Sequence, residues 1–282
     1  MKTITSVSGG RTSAYLAAKY PSDYLLFALV RIEDENCRFP DGKISREIED
    51  RIQAPFIGTA EDDKIIYTML DLEQYLGQKI HWVTGMTYDE YIQKINGGYT
   101  PNIDWRGCTT HLKLIPMAQW WLCNVGEPVL MQIGYRANET ERANRSLAKL
   151  NENGLSELKI PIAHKRIKRG WQNINNVVAW QRPTFKLIED GIFRQDIDKF
   201  WIDKPVRFAD YNNCVGCFHR SPLFLAKMYD IHPNKMGWFE GKETKGTWKK
   251  DIRYEEIKKF KIQRALSFED LGGCASGYCE VA

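Results

Sequence analysis

The stretch that decides the fold is Thr3-Ile4-Thr5-Ser6-Val7-Ser8-Gly9-Gly10-Arg11-Thr12-Ser13. Its first five residues are mostly β-branched and predict a short strand. The residues that follow, Ser13-Ala-Tyr-Leu-Ala-Ala-Lys-Tyr20, predict a helix. Between them the two glycines allow a tight turn and a close backbone approach to an anion. The helix N-terminus adds unpaired N–H donors and the positive end of its dipole. Ser8, Thr12 and Ser13 place hydroxyls around the same point, with Arg11 beside them. The competing reading is a plain βα turn, since Gly, Ser and Thr also form turns and caps.

Outward from this loop, strand-like and helix-like segments alternate. The apolar run Tyr24 to Ile32 predicts a buried parallel strand, and Lys64 to Tyr67, Lys79 to Thr84 and Pro128 to Ile133 predict others. Helical patterns cover Ser45 to Gln53, Met69 to Leu76, Tyr88 to Lys94 and Thr110 to Leu122. The alternation predicts an α/β fold with a doubly wound, mostly parallel sheet. From about Gly154 the rhythm loosens, which divides the chain into an α/β nucleotide-binding domain over 1–153 and a cysteine-containing C-terminal elaboration over 154–282.

At 282 residues, 43% of them hydrophobic, the chain can bury a full core, and no apolar run approaches membrane length. The N-terminus is too short and too polar for a signal peptide, so a cytoplasmic protein is expected. A net charge of +4 permits an anionic ligand without demanding one. The basic run His164 to Arg169 reads as a solvated loop or as a contact for a phosphate-rich partner. Seven cysteines, an odd number, argue against a disulfide scaffold and for metal binding or reactivity.

Three further segments carry chemistry. In Arg106-Gly107-Cys108-Thr109-Thr110-His111-Leu112-Lys113-Leu114-Ile115-Pro116, Cys108 stands at a helix start, where its thiol pKa can fall, and Lys113 follows one turn later. A buried structural cysteine is the alternative. In Ile133-Gly134-Tyr135-Arg136-Ala137-Asn138-Glu139-Thr140-Glu141-Arg142, directly after a predicted strand, Arg136 and Arg142 could fork around phosphate or sulfate. A solvated helix start with salt bridges explains Glu139 and Arg142 but not the whole run. In Asn213-Cys214-Val215-Gly216-Cys217-Phe218-His219-Arg220, the Cys-x-x-Cys is half of a metal site, and Cys274 and Cys279 in the tail offer the other half. His111 and His219 keep zinc open as an alternative.

Gly-x-x-x-x-Gly-Lys-Ser/Thr and Gly-x-Gly-x-x-Gly are both missing from the chain. The Ser8–Ser13 loop instead resembles the Ser-Gly-Gly-x-x-Ser loop of the adenine nucleotide α-hydrolase (PP-loop ATP pyrophosphatase) superfamily. The four segments, in order, resemble the phosphoadenosine phosphosulfate (PAPS) reductase family, with phage-type members and the sulfurtransferases of DNA phosphorothioation the nearest in appearance. The resemblance implies that Ser8, Gly9, Gly10, Arg11, Thr12, Ser13, Lys113, Gly134, Arg136, Glu139 and Arg142 hold ATP or a PAPS-type nucleotide, with Mg2+. It also implies Cys108, Cys279 and Arg136 as catalytic groups. A 4Fe–4S cluster would sit on four of Cys108, Cys214, Cys217, Cys274 and Cys279. The activity implied is a transferase reaction in which an acceptor, possibly a nucleic acid, is adenylated and then takes sulfur from a sulfur-donor protein. The alternatives are reduction of PAPS or adenosine phosphosulfate to sulfite, recycled by a thiol reductant protein, and a non-catalytic nucleotide- or nucleic-acid-binding module. The tail departs from the reductase pattern: Gly272-Gly273-Cys274-Ala275-Ser276-Gly277-Tyr278-Cys279-Glu280-Val281 stands in place of a Glu-Cys-Gly-Leu-His-type motif.

Overall fold

The computed structural model describes residues 1–167 and 170–260. Cys274 and Cys279 lie outside the described residues. The chain runs β1 (Thr3–Val7), α1 (Arg11–Lys19), β2 (Tyr24–Ala28), β3 (Arg31–Ile32), α2 (Gly42–Ile52), β4 (Gly58–Thr59), α3 (Lys64–Leu76) and β5 (Ile80–Val83). Then come α4 (Tyr88–Glu90), α5 (Gly107–Thr109), α6 (Ile115–Asn124), β6 (Val129–Gln132), α7 (Thr140–Leu147), β7 (Ser156–Ile167) and β8 (Gly170–Thr184). The last elements are α8 (Lys186–Glu189), α9 (Arg194–Trp201), α10 (Pro222–Ile231), α11 (Pro233–Gly241) and α12 (Tyr254–Ile257).

The expected α/β architecture is present as a six-stranded, mostly parallel, Rossmann-like sheet in the order β5-β2-β1-β6-β8-β7. Only β7 runs against its neighbour; β5, β2, β1, β6 and β8 are parallel. Strand alternation sends successive side chains to opposite faces. Val7, Leu25, Phe27 and Trp82 pack under α1, α2, α3 and α9 on one face. Ile4, Leu26, Val129 and Met131 pack under α6 and α7 on the other. Beyond the carboxyl ends of the strands, Val30 and Ile32 meet a third core built from Tyr88, Tyr91, Leu112, Phe218, Phe224, Trp238, Phe239, Trp248 and Tyr254. The segment from Cys214 to Ile257 therefore packs beyond the carboxyl ends of the strands.

Several expected elements change. Lys64 to Tyr67 is not a strand but the first turn of α3, whose buried face is Ile65, Ile66, Thr68, Met69 and Leu72. That spacing is helical, and burial overrides the β preference of two adjacent isoleucines. The run Tyr24 to Ile32 divides into β2 and the edge strand β3, which pairs with β4 in a separate two-stranded sheet. The helix from Thr110 to Leu122 opens as a π-helix over Thr110–Leu114 and becomes α-helical from Ile115. Pro116 cannot donate the hydrogen bond that an α-helix requires there, which accounts for the wider turn ahead of it.

The long hairpin β7–β8 was not anticipated. Its second strand joins the main sheet through β6, with Leu130 opposite Arg182, so the sheet continues past residue 153. The basic run from His164 is β-strand as far as Ile167, not loop. Trp180 anchors β8: it is buried and packs on Trp121 of α6 with ring centroids 5.9 Å apart. Trp180→Ala is expected to cost about 3–5 kcal/mol, the usual cost of deleting a buried large aromatic. Urea unfolding measures it, and a loss below about 1 kcal/mol would mean that β8 is not held through this contact.

Candidate functional site

In an open α/β sheet, ligands bind outside the carboxyl ends of the strands where the chain order reverses. Here that point lies between β1 and β6, because the chain proceeds from β1 to β2 on one side and reaches β6 on the other. The Ser8–Ser13 loop leaves β1 at this crevice, and Ile133–Gly134 leaves β6 beside it. A Cβ added at Gly134 would stand 3.4 Å from Thr12 Cγ2 and 3.5 Å from Ser13 N. The first and third sequence segments thus lie side by side, with space between Gly134 and the loop for little more than a methyl group.

The loop is braced from within. Ser13 Oγ accepts from Ser8 N (3.1 Å), donates to Gly10 O (3.1 Å) and lies 3.2 Å from Ser8 Oγ. Gly9 has φ +81°, a left-handed conformation that favours glycine. No side chain caps α1 at Gly10, which leaves the helix start to the loop backbone. Arg11 is not turned to the loop mouth: its guanidinium pairs with Asp198 at 3.1 Å and lies over Phe208. Only its backbone belongs to the Ser8–Ser13 turn.

Arg136 and Arg142 are already engaged. Glu139 accepts from Arg136 N (2.9 Å) and Nε (3.1 Å) and from Arg142 Nη1 (3.0 Å). Arg142 also stacks over Tyr135, 4.4 Å from the ring centroid, and Tyr135 stacks on Phe185. The salt-bridged reading of this run therefore describes its resting geometry. Both arginines nevertheless stand in the segment directly after Gly134, so a stronger anion could compete for their donors.

Cys108, Cys214 and Cys217 line one small pocket, about 40 Å³, together with Arg106, Lys113, Asn213, Phe218 and His219. The Cys-x-x-Cys turn is fixed by its own backbone: Cys217 N donates to Cys214 O and Arg220 N to Cys217 O. Gly216 is required, because a Cβ there would meet the Phe239 ring at 2.4 Å. The expectation of a lowered thiol pKa at Cys108 is not met in this arrangement. Burial pushes the Cys108 thiol up, and the nearby Cys217 adds to it. The Tyr88 hydrogen bond, the Thr109 amide and Lys113 offset this only in part. Burial raises Cys214 well above its ordinary value, with Glu61 adding to the effect. Cys37 and Cys123 stand apart; Cys37 is buried and Cys123 exposed. Among the described residues no group of three or more His, Cys, Asp or Glu side chains is arranged to hold a single metal ion. The pocket contributes three thiols as soft donors, the type that suits iron–sulfur clusters and zinc.

The sequence reading missed Glu61. Its carboxylate accepts from Lys113 Nζ at 2.7 Å, and the two side chains are 2% and 15% exposed. Burial works against the lysine charge, but Glu61 and the neighbouring sulfurs hold the Lys113 pKa above its usual value. Glu61 also makes an antiparallel bridge with Cys214, so the ion pair is built into the cysteine turn. Asp62 lies 3.4 Å from His232, and Asp63 binds Lys235 at 2.7 Å. The run Glu61-Asp62-Asp63 was the available signal. Asn212 was also missed: a Cβ at Gly10 would be 2.6 Å from its Nδ2. No family model matches the chain, and no curated protein or solved structure is significantly similar to it.

The Asp62 pair gives a pH-dependent expectation. Burial would raise this carboxyl, but the hydrogen bonds from His232 and the Lys64 amide take its pKa below the ordinary 3.8. A carboxyl that is a stronger acid in the fold contributes stability above its unfolded pKa and loses it as pH falls through the folded value. Asp62→Asn should therefore lower stability at pH 6, and the difference from wild type should shrink below pH 3.8. Denaturant titrations across that range measure it; a difference that grows on acidification contradicts the assignment.

Proposed function

We propose that this chain is a PAPS-reductase-family enzyme with an adenine nucleotide α-hydrolase-like fold, catalysing ATP-dependent sulfur transfer through an adenylated acceptor. The observation that carries the reading is the convergence at one crevice: the Ser8–Ser13 loop touches Gly134 on one side and the turn leading to Cys214 on the other. A phosphate-binding backbone and a group of thiols within one site suit a reaction that joins nucleotide activation to sulfur chemistry.

In this reading the backbone of Gly9, Gly10, Arg11 and Thr12 holds the β- and γ-phosphates of ATP, assisted by Mg2+. An acceptor oxygen attacks the α-phosphorus, pyrophosphate leaves, and the acceptor becomes an adenylate. Arg136 and Arg142, released in part from Glu139, neutralise charge on the phosphates. The terminal sulfur of a cysteine persulfide on Cys108, loaded by a sulfur-donor protein, then displaces AMP. A thiol of the reductant protein attacks the Cys108 sulfur of the resulting disulfide and frees the thiolated acceptor, and the reductant's second thiol then releases Cys108. Lys113 stabilises the thiolate lost and regained in these exchanges. Cys214, Cys217, Cys274 and Cys279 would hold a 4Fe–4S cluster, which when bound would supply sulfur-binding iron and electrons at the pocket. Localisation in the cytoplasm fits reduced thiols, and among the described residues no helix is long and apolar enough to cross a membrane.

Gly9→Val is expected to abolish binding of ATP and to lower stability, because its side chain would meet Ile65 at 2.5 Å, cannot adopt φ +81° without strain and would displace the loop backbone that holds phosphate. Calorimetry on the folded variant decides this, and unchanged affinity removes the loop from the site. Anaerobic purification should give a brown protein with about four irons per chain, and Cys214→Ser or Cys217→Ser should lose the iron. Colourless anaerobic protein with stoichiometric zinc replaces the cluster with a Cys/His zinc site. Sulfite formation from PAPS with reduced thioredoxin, without pyrophosphate release from ATP, would favour the reductase reading; nucleotide binding without either turnover would favour a binding module.

A further inference from the structure

Both glycines of the phosphate loop are covered by segments that lead straight into the cysteine turn. Gly10 lies under the side-chain amide of Asn212, two residues before Cys214. Gly9 lies under Ile65 of α3, and α3 follows the Glu61-Asp62-Asp63 run, where Glu61 bridges to Cys214 and the preceding Ala60 O accepts from Val215 N (2.8 Å). Asn212 is not loosely held. Its carbonyl accepts from Arg220 Nη2, and Arg220 Nε donates to Cys214 O at 3.2 Å. Arg220 is itself buried, stacks on Phe224 and has its own carbonyl tied to Lys249 Nζ (2.9 Å). Asn213 takes φ +69°, a left-handed conformation that asparagine tolerates better than most residues. The turn from 212 to 220 thus behaves as one braced piece, with an amide donor at one end and two thiols along its length.

We infer that Asn212 is a positioning residue that reads occupancy of the phosphate loop and passes it through the Arg220-braced turn to Cys214 and Cys217. This rests on the nucleotide reading of the Ser8–Ser13 loop. A phosphate seated on that loop competes for the space and the donor that Asn212 presents over Gly10, so the amide must either bind the phosphate or move. Either outcome acts on a turn whose carbonyls are pinned by one guanidinium, so it reaches the cysteine backbone two residues away. The coupling is reciprocal: whatever fills the cysteine pocket changes nucleotide affinity by the same factor. A site that activates its acceptor at one end and handles sulfur at the other gains order from this link, because the thiol end is set only when nucleotide is present.

Amide hydrogen exchange on the full chain, as purified, tests it, with the α,β-methylene analogue of ATP as the probe. Each variant is saturated at its own affinity, measured by calorimetry. In the wild type the analogue should slow exchange in peptides covering 8–20 and, at least threefold, in those covering 214–220. In Asn212→Ala, or Asn212→Ser should the first fold poorly, protection at 8–20 should remain and protection at 214–220 should vanish. A residue that merely packs the turn would raise exchange with and without nucleotide alike, leaving the nucleotide-dependent difference in place; that result overturns the proposal. So does wild-type protection confined to 8–20, which leaves the loop assignment standing. Failure of the analogue to bind the wild type sinks the nucleotide reading and this inference together.

Discussion

Close approach at Gly9 and Gly10 is the constraint on which the rest of the site depends. Neither residue has room for a Cβ: Ile65 closes one side and Asn212 the other. A backbone turn that binds an anion needs bare N–H groups at van der Waals range, and Gly9 and Gly10 present a backbone free of side chains of the kind such a turn requires. The consequence is structural as well as chemical. Because α3 and the 212–220 turn press directly on the loop, they share its position, and the second half of the chain is aligned against the first at the point where ligand would sit. Ser13, bonded to both Ser8 and Gly10, keeps the turn closed from inside while these two contacts fix it from outside.

Much of the sheet was legible because its strands are buried on both faces and their sequences say so. The β-branched run Thr3–Val7 and the apolar run Pro128 to Ile133 each became a strand within a residue of the expected place, and the run from Tyr24 began its strand where expected but ended it at Ala28 rather than Ile32. Lys64–Tyr67 was misread because Ile65-Ile66 has the same local composition as a strand; only its continuation through Met69 and Leu72 makes the period helical. The β7–β8 hairpin escaped because its strands carry proline, asparagine and basic residues, which depress any local strand signal, while its pairing is set by contacts such as Ile160 with Trp180 and α6 that lie far apart in sequence. At the site, motif residues were legible as types. What they face was not. Arg11 belongs to the loop by sequence but turns to Asp198, and Glu61 has no motif of its own yet sits against Cys214.

The partnering of Arg136 and Arg142 with Glu139 has a physical logic beyond storage of charge. Two guanidiniums within one turn repel each other when no anion is present. A shared carboxylate removes that cost and holds both forks in place, at the expense of some affinity when a phosphate or sulfate must displace it. Stacking of Arg142 on Tyr135, and of Tyr135 on Phe185, limits how far the pair can rearrange. An arrangement of this kind favours ligands with several anionic oxygens, which can satisfy both arginines at once, over a single carboxylate.

The same accounting of charge bears on the three thiols. Burial drives Cys108 and Cys214 toward the neutral form, and the lysine beside them is already matched by Glu61 at 2.7 Å. Lys113 and Glu61 together bring no net charge to the pocket, so they orient a dipole there without providing the full positive charge that would hold two or three thiolates. Thiolates are the reactive and ligating form of cysteine. In a pocket built this way they become stable when a soft cationic group binds them, since a coordinating metal deprotonates a thiol outright. The Lys113 ammonium, held by a buried partner and adjacent to Cys108 and Cys214, directs a fixed dipole toward the sulfurs. Glu61 therefore keeps a lysine charged in a place where burial would discharge it, while its own carboxylate balances that charge beside the thiols.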